Sequence, residues 1–296
     1  MKFFKSIAIV LTLLWSFAAT NSYAANATQC RLTSGKIANL VGDTDSSCYT
    51  SAINKTQTIY KVYLCKSKPS APTSSATSDY ASKCTLFMSN DSAEPLIMGK
   101  GDNKKLPGTF VSLESLTNGT TVNFTYVYLE SKPEVAVRAT ATFNVARTAV
   151  DGSSGTVCWT TDATVYSFDA VPTSGSQCGT AAEARPGVLI NRTNSLGVGA
   201  AVMSSEGDEG GSYLVDSNYK LAASTSSGNI GTVARDIGIF KLSIRLTQRS
   251  HGLKIAYDLT TGAWVVNNPS DDGTQKTYIL PGGASVSTSV CSAVRC

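Results

Sequence analysis

A single histidine, His251, limits the acid–base chemistry that this sequence can support. It lies in QRSHGLKI directly before a glycine, where a turn is expected. A Ser-His-Asp triad would place this imidazole between a nucleophile and a carboxylate. The adjacent Ser250 would point to the opposite face of a strand, however, and no G-x-S-x-G elbow occurs. Zinc motifs that use two or three histidines are excluded. We interpret His251 as a turn residue.

Carboxylate pairs are the other candidates for catalysis, because a glycosidase can work without histidine when two such groups lie about 5–9 Å apart. None of the acidic residues occurs in a recognisable catalytic motif, and most fall in loops or on the polar faces of predicted strands. The candidates are Glu94, Glu114, Glu130, Glu134, Asp162, Asp169, Asp216 and Asp258. We predict that the protein is not an enzyme.

Two glycine-rich stretches could bind a metal or a nucleotide. SSEGDEGGS, residues 204–212, gathers acids, and Ca²⁺ prefers about six to eight oxygen ligands. Its acids are Glu206, Asp208 and Glu209. They lack EF-hand spacing, which favours a solvated loop, although Ca²⁺ binding there stays open. LGVGAAV, residues 196–202, has Val202 where a dinucleotide fingerprint has its third glycine, and no βαβ pattern surrounds it. We predict no cofactor.

The cysteines have the most informative spacing. They are Cys30, Cys48, Cys65, Cys84, Cys158, Cys178, Cys291 and Cys296. No C-x-x-C pair occurs, which disfavours thioredoxin chemistry and zinc ribbons, and an even number is typical of disulfides in an exported chain. Pairing in sequential order would close loops of 17, 18, 19 and 4 residues. We predict this pairing, while the sequence leaves other connectivities, a metal or catalytic role and intermolecular bridges open.

The N-terminal segment predicts such export. Lys2 and Lys5 precede an apolar stretch at residues 6–19. Ser22 and Ala24 then place small residues at the −3 and −1 positions of a signal peptidase site. The apolar stretch is shorter than the roughly twenty residues that a membrane-spanning helix needs. We predict a signal peptide over residues 1–24, a secreted or cell-surface protein, and no transmembrane segment in the mature chain.

The charge of the chain disfavours nucleic acid as a partner. The formal net charge is +4, and removal of Lys2 and Lys5 lowers it by two. A nucleic-acid-binding surface would need a clustered basic stripe. The densest basic stretch, KGDNKK at residues 100–105, is typical of a solvated turn.

The elements that position these residues are predicted to be strands. GTTVNFTYVYLES, residues 119–131, alternates as a half-buried strand does. Its expected inner face consists of Val122, Phe124, Tyr126 and Tyr128. EVAVRATATFNVAR, residues 134–147, alternates in the same way, and SKP at residues 131–133 predicts a turn between the two strands. GLKIAYDLTTGAWVVNN, residues 252–268, predicts a hairpin that turns at Thr261 and Gly262.

A polar, glycine-bearing segment divides the predicted strands into two groups. TAVDGSSGT follows the strand at residues 134–147, and residues 148–155 are predicted to be a linker. We predict an N-terminal β-sandwich domain over residues 25–147 and a C-terminal β-rich domain over residues 156–296. The predicted fold class is therefore all-β, with two antiparallel β-sandwich domains stapled by disulfides.

One part of the chain resembles a known class of domain. IYKVYLC through FTYVYLESKPEVAVRATATF, within residues 55–146, resembles in outline the secreted bacterial β-sandwich domains of transthyretin-like or immunoglobulin-like type. A strand, a cysteine-closed loop, an LPGT turn and a long YVYL strand follow one another in that order. The resemblance implies a β-sandwich, a surface location and a structural or adhesive role. The second half carries no such resemblance.

Export, disulfides, strand-rich composition and the lack of catalytic motifs favour a non-enzymatic structural or adhesive protein, such as a filament or matrix subunit. Edge strands of such domains can pair with a neighbouring copy, and SVSTSV before Cys291 is the predicted donor strand. The alternative is a secreted module that binds a carbohydrate or another ligand through exposed aromatic residues. The candidates for that surface are Trp159, Trp264, Tyr63 and Tyr128.

Overall fold

The computed structural model is built mainly of strands. It describes residues 13–15, 28–38, 46–99, 106–167, 174–193, 200–201, 210–222, 233–247, 250, 252–269, 275–282 and 284–291. The structure is 59% strand and 4% helix, which confirms the all-β prediction.

The elements are numbered in chain order. The strands are β1 (Leu13–Trp15), β2 (Thr28–Gln29), β3 (Leu32–Thr33), β4 (Lys36–Ile37), β5 (Ser46–Thr50), β6 (Ala52–Cys65), β7 (Cys84–Ser89), β8 (Leu96–Gly99), β9 (Thr109–Phe110), β10 (Val122–Thr148), β11 (Ser154–Thr160), β12 (Ala163–Ser167), β13 (Ser176–Gly179), β14 (Leu189–Thr193), β15 (Ala200–Ala201), β16 (Gly210–Val215), β17 (Arg235–Leu246), β18 (Gly252–Asp258), β19 (Ala263–Pro269), β20 (Gln275–Pro281) and β21 (Ala284–Cys291). Two short helices are α1 (Tyr80–Lys83) and α2 (Leu113–Thr117).

The 27-residue strand β10 is the spine of the main sheet. Its N-terminal half pairs with β6 on one edge and with β17 on the other, so that Leu129 lies between Val62 and Gly238. Further along, β10 pairs with β14 and then with β11. Residues 127–131 are all buried, so both faces of the sheet are covered at this point.

Pro133 does not end the strand. The register between β6 and β10 shifts between Ser131 and Val135, around this proline. Proline has no N–H to donate to a ladder, so the strand bulges at this point and then continues. The predicted turn at residues 131–133 is therefore wrong, and the two predicted strands are one.

The alternating side chains in the first part of β10 do not share one face. Phe124 belongs to the main core, which is the largest cluster of buried apolar side chains, whereas Tyr126 and Tyr128 pack in a separate cluster. The register with β17 shifts between Phe124 and Tyr126. A shift of register changes the neighbours of every side chain beyond it, so the predicted single inner face is wrong.

The two predicted domains share one sheet and one core. β10 pairs with β6 from the first half and with β17, β14 and β11 from the second half. The main core contains Leu64 together with Ile279. Segment 148–155 contains the tight turn between β10 and β11, where the Ala149 N–H donates to the Ser153 carbonyl at 2.8 Å. The predicted division into two immunoglobulin-like or transthyretin-like sandwiches is not confirmed.

A four-stranded sheet in the order β2-β5-β19-β20 packs against the main sheet. Its strand β20 contacts β10, β11, β13 and β14. Val265 and Ile279 are fully buried in the main core, and the Ile279 N–H donates to Ser176 Oγ at 2.9 Å. The main core therefore lies between two layers of strands.

The predicted hairpin over residues 252–268 is wrong. β18 pairs with β21 in a three-stranded sheet, whereas β19 pairs with β5 and β20. Between them, Leu259 is fully buried and its carbonyl accepts the Ala52 N–H at 3.1 Å. A Cβ at Gly262 would lie 2.9 Å from the Ala52 Cβ. This turn is anchored to the beginning of β6 and directs the chain into a second sheet.

The predicted donor strand belongs to its own chain's sheet. Residues 285–290 pair in antiparallel register with residues 253–258 of β18. The prediction that SVSTSV is a free donor strand is therefore wrong.

Candidate functional site

Three disulfides among the described residues staple neighbouring strands. Cys65 pairs with Cys84 and Cys158 with Cys178, and each pair also occupies directly opposite positions in an antiparallel ladder. Their Cα atoms are 3.9 and 4.0 Å apart. Cys30, directly after β2, bonds to Cys48 in the adjacent strand β5.

The structure thus joins the cysteines in the sequential order that the spacing predicts. The fourth predicted pair, Cys291 with Cys296, lies in part outside the described residues.

The Cys65–Cys84 disulfide closes a segment, residues 66–83, whose polar side chains hydrogen-bond to its own backbone. The Ser70 N–H donates to Asp79 Oδ1 at 2.6 Å, and the Asp79 N–H donates to Ser70 Oγ at 3.1 Å. Lys83 Nζ lies 2.7 Å from Asp79 Oδ2 and donates to the Lys68 carbonyl at 3.0 Å. This tract of serine, threonine and proline is therefore an ordered flap, and we call residues 66–83 the flap.

The flap places Tyr80 on the face of the main sheet opposite the main core. Its ring stacks on that of Tyr128, with centroids 4.2 Å apart and planes inclined by 15°. Tyr63 meets both rings edge-on, at 5.0 Å from Tyr80 and 5.7 Å from Tyr128. Tyr63 and Tyr128 are neighbours because they are direct partners in the β6–β10 ladder.

Glu130 lies on the same face of β10, two residues from Tyr128. Its side chain is 1% exposed. Oε2 accepts a hydrogen bond from the Tyr219 hydroxyl at 3.1 Å, while Oε1 is buried without a hydrogen-bond partner. Burial raises the pKa of this carboxyl, and Lys61, the Tyr219 hydroxyl and Arg235 oppose the shift. We call Glu130 with Tyr63, Tyr80, Tyr128 and Tyr219 the tyrosine cluster.

A second loop completes the cluster. Tyr219 lies in the turn after β16, with a positive φ of 61°. Asp216 accepts the backbone N–H groups of Asn218 and Lys220 at 2.8 and 3.1 Å and so fixes this turn. The flap and the turn are joined directly, because the Leu221 N–H donates to the Thr73 carbonyl at 3.0 Å. Two loops therefore cover the same face of the sheet.

The phenols of Tyr63, Tyr128 and Tyr219 are held in their neutral form. Burial, reinforced by the charge of Glu130, raises the pKa values of Tyr63, Tyr128 and Tyr219. Neutral phenols can donate hydrogen bonds and pack their rings, but they are poor nucleophiles. The chemistry of this arrangement is that of a hydrogen-bonded packing centre.

Arg235 borders the cluster. Its guanidinium lies 4.3 Å from the centroid of the Tyr60 ring, and Nη1 donates to the Ala234 carbonyl at 2.7 Å. Cation–π contacts of this kind stabilise a partly buried arginine. The arginine thereby supplies a positive charge near Glu130.

A second unusual titratable group lies on the other side of the sheet. Lys55 in β6 is 1% exposed, and its Nζ donates to the Gly282 carbonyl at 2.8 Å. Burial lowers the pKa of this lysine to about 7. Its contact with the segment between β20 and β21 ties the second half of the chain to β6.

The aromatic residues predicted to form a carbohydrate platform are not exposed together. Trp159, Trp264 and Tyr128 are 5%, 9% and 2% exposed, and Tyr63 is half-buried inside the tyrosine cluster. Trp264 packs with Val266 and Tyr278 instead. The prediction of an exposed surface made from these four residues is wrong, because their strand positions face packed layers.

Most of the candidate carboxylates have local roles. Asp162 accepts the Val188 N–H at 2.7 Å, Glu134 forms an ion pair with Lys132, and Glu94 and Glu114 are exposed. Asp169 lies outside the described residues, as does the side chain of Asp258. Among the described candidates, Glu130 is the carboxyl whose surroundings shift its pKa.

Several residues of the motifs considered in the sequence lie outside the described part of the chain. They are His251, Glu206, Asp208, Glu209, Val202, Lys100, Lys104 and Lys105. Among the described residues, no group of three or more histidine, cysteine, aspartate and glutamate side chains could hold a metal ion.

The tyrosine cluster itself was not predicted as a unit. The alternation of Tyr126, Tyr128 and Glu130 along YVYLE places these residues on one face, which is a usable signal. Tyr219 lies 89 residues from Glu130, and nothing in its local sequence connects the two.

No helix in the described ranges is long and apolar enough to cross a bilayer. No family model, curated protein or solved structure matches the chain.

Proposed function

We propose that the protein is an exported, non-enzymatic structural or adhesive protein of the cell surface or extracellular space, such as a filament or matrix subunit. The observation that carries this proposal is the placement of the disulfides. Each of the three joins neighbouring strands of a sheet, and disulfides of this kind persist in oxidising compartments outside the cytosol. Disulfides between neighbouring strands keep those strands in register when the molecule is under mechanical force or in denaturing conditions.

The tyrosine cluster supports the same proposal. Glu130, whose pKa is raised by burial, is covered by the disulfide-closed flap and by the hydrogen-bonded turn that carries Tyr219. Raised pKa values keep the phenols of Tyr63 and Tyr128 neutral, which suits packing better than covalent catalysis. The side chains of the tyrosine cluster hold the flap and the turn after β16 against the main sheet.

Export is part of the proposal, with residues 1–24 as the leader. The test is N-terminal sequencing of protein recovered from the medium or the cell surface, combined with thiol labelling. We expect the chain to begin at Ala25 and Cys65 and Cys84 to resist labelling until they are reduced. Full-length protein with labelled thiols in the cytosol would contradict export.

The structural role is tested on protein recovered from the cell surface. Non-reducing electrophoresis, light scattering and negative-stain microscopy measure whether copies assemble. Ordered polymers or laddered assemblies are the expected result, and samples run with and without reductant separate disulfide-linked from non-covalent assemblies.

A disulfide-bonded monomer without assemblies would contradict the structural role. It would favour the alternative, a secreted carbohydrate- or ligand-binding β-sandwich module, and glycan screening would follow. That alternative has lost the exposed aromatic surface predicted for it, since Trp159 and Trp264 are buried.

A further inference from the structure

Within the described ranges, the backbone of β21 is largely unpaired on one side of the three-stranded sheet. β18 pairs with β21 along seven residues, from Gly252 opposite Cys291 to Asp258 opposite Ser285. On the other side, β1 pairs only with residues 284–286. Within the described ranges, no strand pairs with residues 287–291 on that side.

The strand that does lie on this side belongs to the predicted leader. β1 consists of Leu13–Trp15, and the proposed cleavage after Ala24 would remove it. No described strand of the mature chain would then pair with this side of β21, which would present a row of unpaired N–H and C=O groups.

The sequence of β21 lacks the usual protection of an edge. Natural edge strands carry charges, prolines or bulges that discourage pairing with another chain. ASVSTSVC has no charged residue, proline or glycine over eight positions. By contrast β20, an outer strand of the four-stranded sheet, contains Lys276, ends at Pro281, and has an isolated bridge from Thr277 to Ala149 on its other side.

We propose that β21 of the mature chain pairs with β21 of a second copy, in antiparallel orientation about a two-fold axis. β1 shows the direction of an incoming strand on this side, because it runs antiparallel to β21. A strand without charge is complementary to itself, since no like charges face each other in the pair. The contact is isologous and closes at two subunits. This inference rests on the proposed export, which removes β1.

The test compares the mass of purified mature protein, residues 25–296, with that of two variants by light scattering. The first variant is Ser285→Lys, Ser287→Lys and Ser289→Lys. In a pair centred on residue 287, each new lysine lies opposite another lysine. The control variant adds the same charge at exposed positions on other strands. Its substitutions are Thr85→Lys, Asn144→Lys and Ser243→Lys.

We expect twice the mass of one chain for the mature protein and for the control, and the mass of one chain for the β21 variant. A mature protein that is monomeric, or a β21 variant that stays dimeric, would overturn the pairing. Near-ultraviolet circular dichroism checks that the variant is folded.

Hydrogen exchange on the unmodified mature chain gives a readout that does not depend on a variant. Amide protons of β21 that point away from β18 should lose protection when dilution dissociates the dimer. Unchanged exchange across that dilution would also overturn the pairing. Microscopy of surface assemblies reports separately on the structural role, so a monomer that still assembles at the surface would refute the β21 contact alone.

Discussion

At the scale of single residues, the Glu130 carboxyl links pH to stability. Burial raises its pKa above the ordinary value of 4.5, so the folded chain keeps this proton to a higher pH than the unfolded chain does. The stabilisation associated with that proton is fully present below pH 4.5. It is lost as the pH rises through the raised pKa. In its ionised form the buried carboxyl accepts a hydrogen bond from the Tyr219 hydroxyl at Oε2 but has no partner at Oε1, and this costs stability.

We therefore expect Glu130→Gln to raise the free energy of unfolding at pH 7 and to flatten its decline above pH 4.5. Each unit by which burial raises the pKa is worth about 1.4 kcal/mol. Urea unfolding at a series of pH values measures the effect, and the exposed Glu94→Gln provides the control. A variant that is less stable at pH 7 while keeping the original pH dependence would show that Glu130 does not set it.

Tyr80 tests the stacking in the tyrosine cluster. Tyr80→Ala removes the ring that stacks on Tyr128 at 4.2 Å and should lower the free energy of unfolding by about 1–3 kcal/mol. Tyr80→Phe keeps the ring and should cost less. Urea unfolding of both variants measures the difference, and equal losses would mean that the hydroxyl, not the ring, holds the flap.

At the scale of elements, the Cys65–Cys84 disulfide holds the flap to the sheet. Replacing both cysteines with serine should lower the free energy of unfolding by about 3 kcal/mol, because the unfolded chain regains the freedom of the closed loop. It should also make the peptide bonds after Lys66 and Lys83 easier for trypsin to cut. Limited proteolysis with mass spectrometry detects those cuts. Cleavage that is no faster than in the unmodified protein would show that the hydrogen bonds of Asp79 hold the flap alone.

Local patterns predicted the elements better than their partners. Alternation at residues 119–147 correctly predicted strand, because side-chain direction in a strand repeats every two residues. The turn at residues 131–133 was wrong, because the ladders on either side of β10 carry the strand past Pro133. The hairpin over residues 252–268 was wrong, because distant strands compete for β18 and β19.

In the candidate site, too, local features were predicted from the sequence and contacts between distant residues were not. Cysteine spacing predicted three pairs that the structure contains, because each closes a short loop between neighbouring strands. Glu130 was one of eight acidic candidates. Its partner Tyr219 comes from a distant turn, and that proximity depends on the pairing of β10 with β17.

At the scale of the whole molecule, β10 makes the two halves of the chain depend on each other. Its N-terminal half needs β17 on one edge, and its C-terminal half needs β14 and β11. We expect residues 25–147 expressed alone to lack cooperative unfolding, because one edge of β10 would lose its partners. Circular dichroism and urea unfolding of the fragment, beside the mature chain, measure this. A fragment that unfolds cooperatively would restore the two-domain division at residues 148–155.

The reach of β10 also sets the order of events in folding. Phe143 pairs with Ile37 and Val122 pairs with Leu246, so the strand brings together residues from near both ends of the described chain. Pairings between such distant residues form slowly, because the long intervening chain must first close into a loop. During synthesis, β10 leaves the ribosome long before β17 exists. The main sheet therefore cannot be completed until most of the chain has been made. During this delay the chain lacks the finished fold, which is the state that the proposed export across a membrane would use.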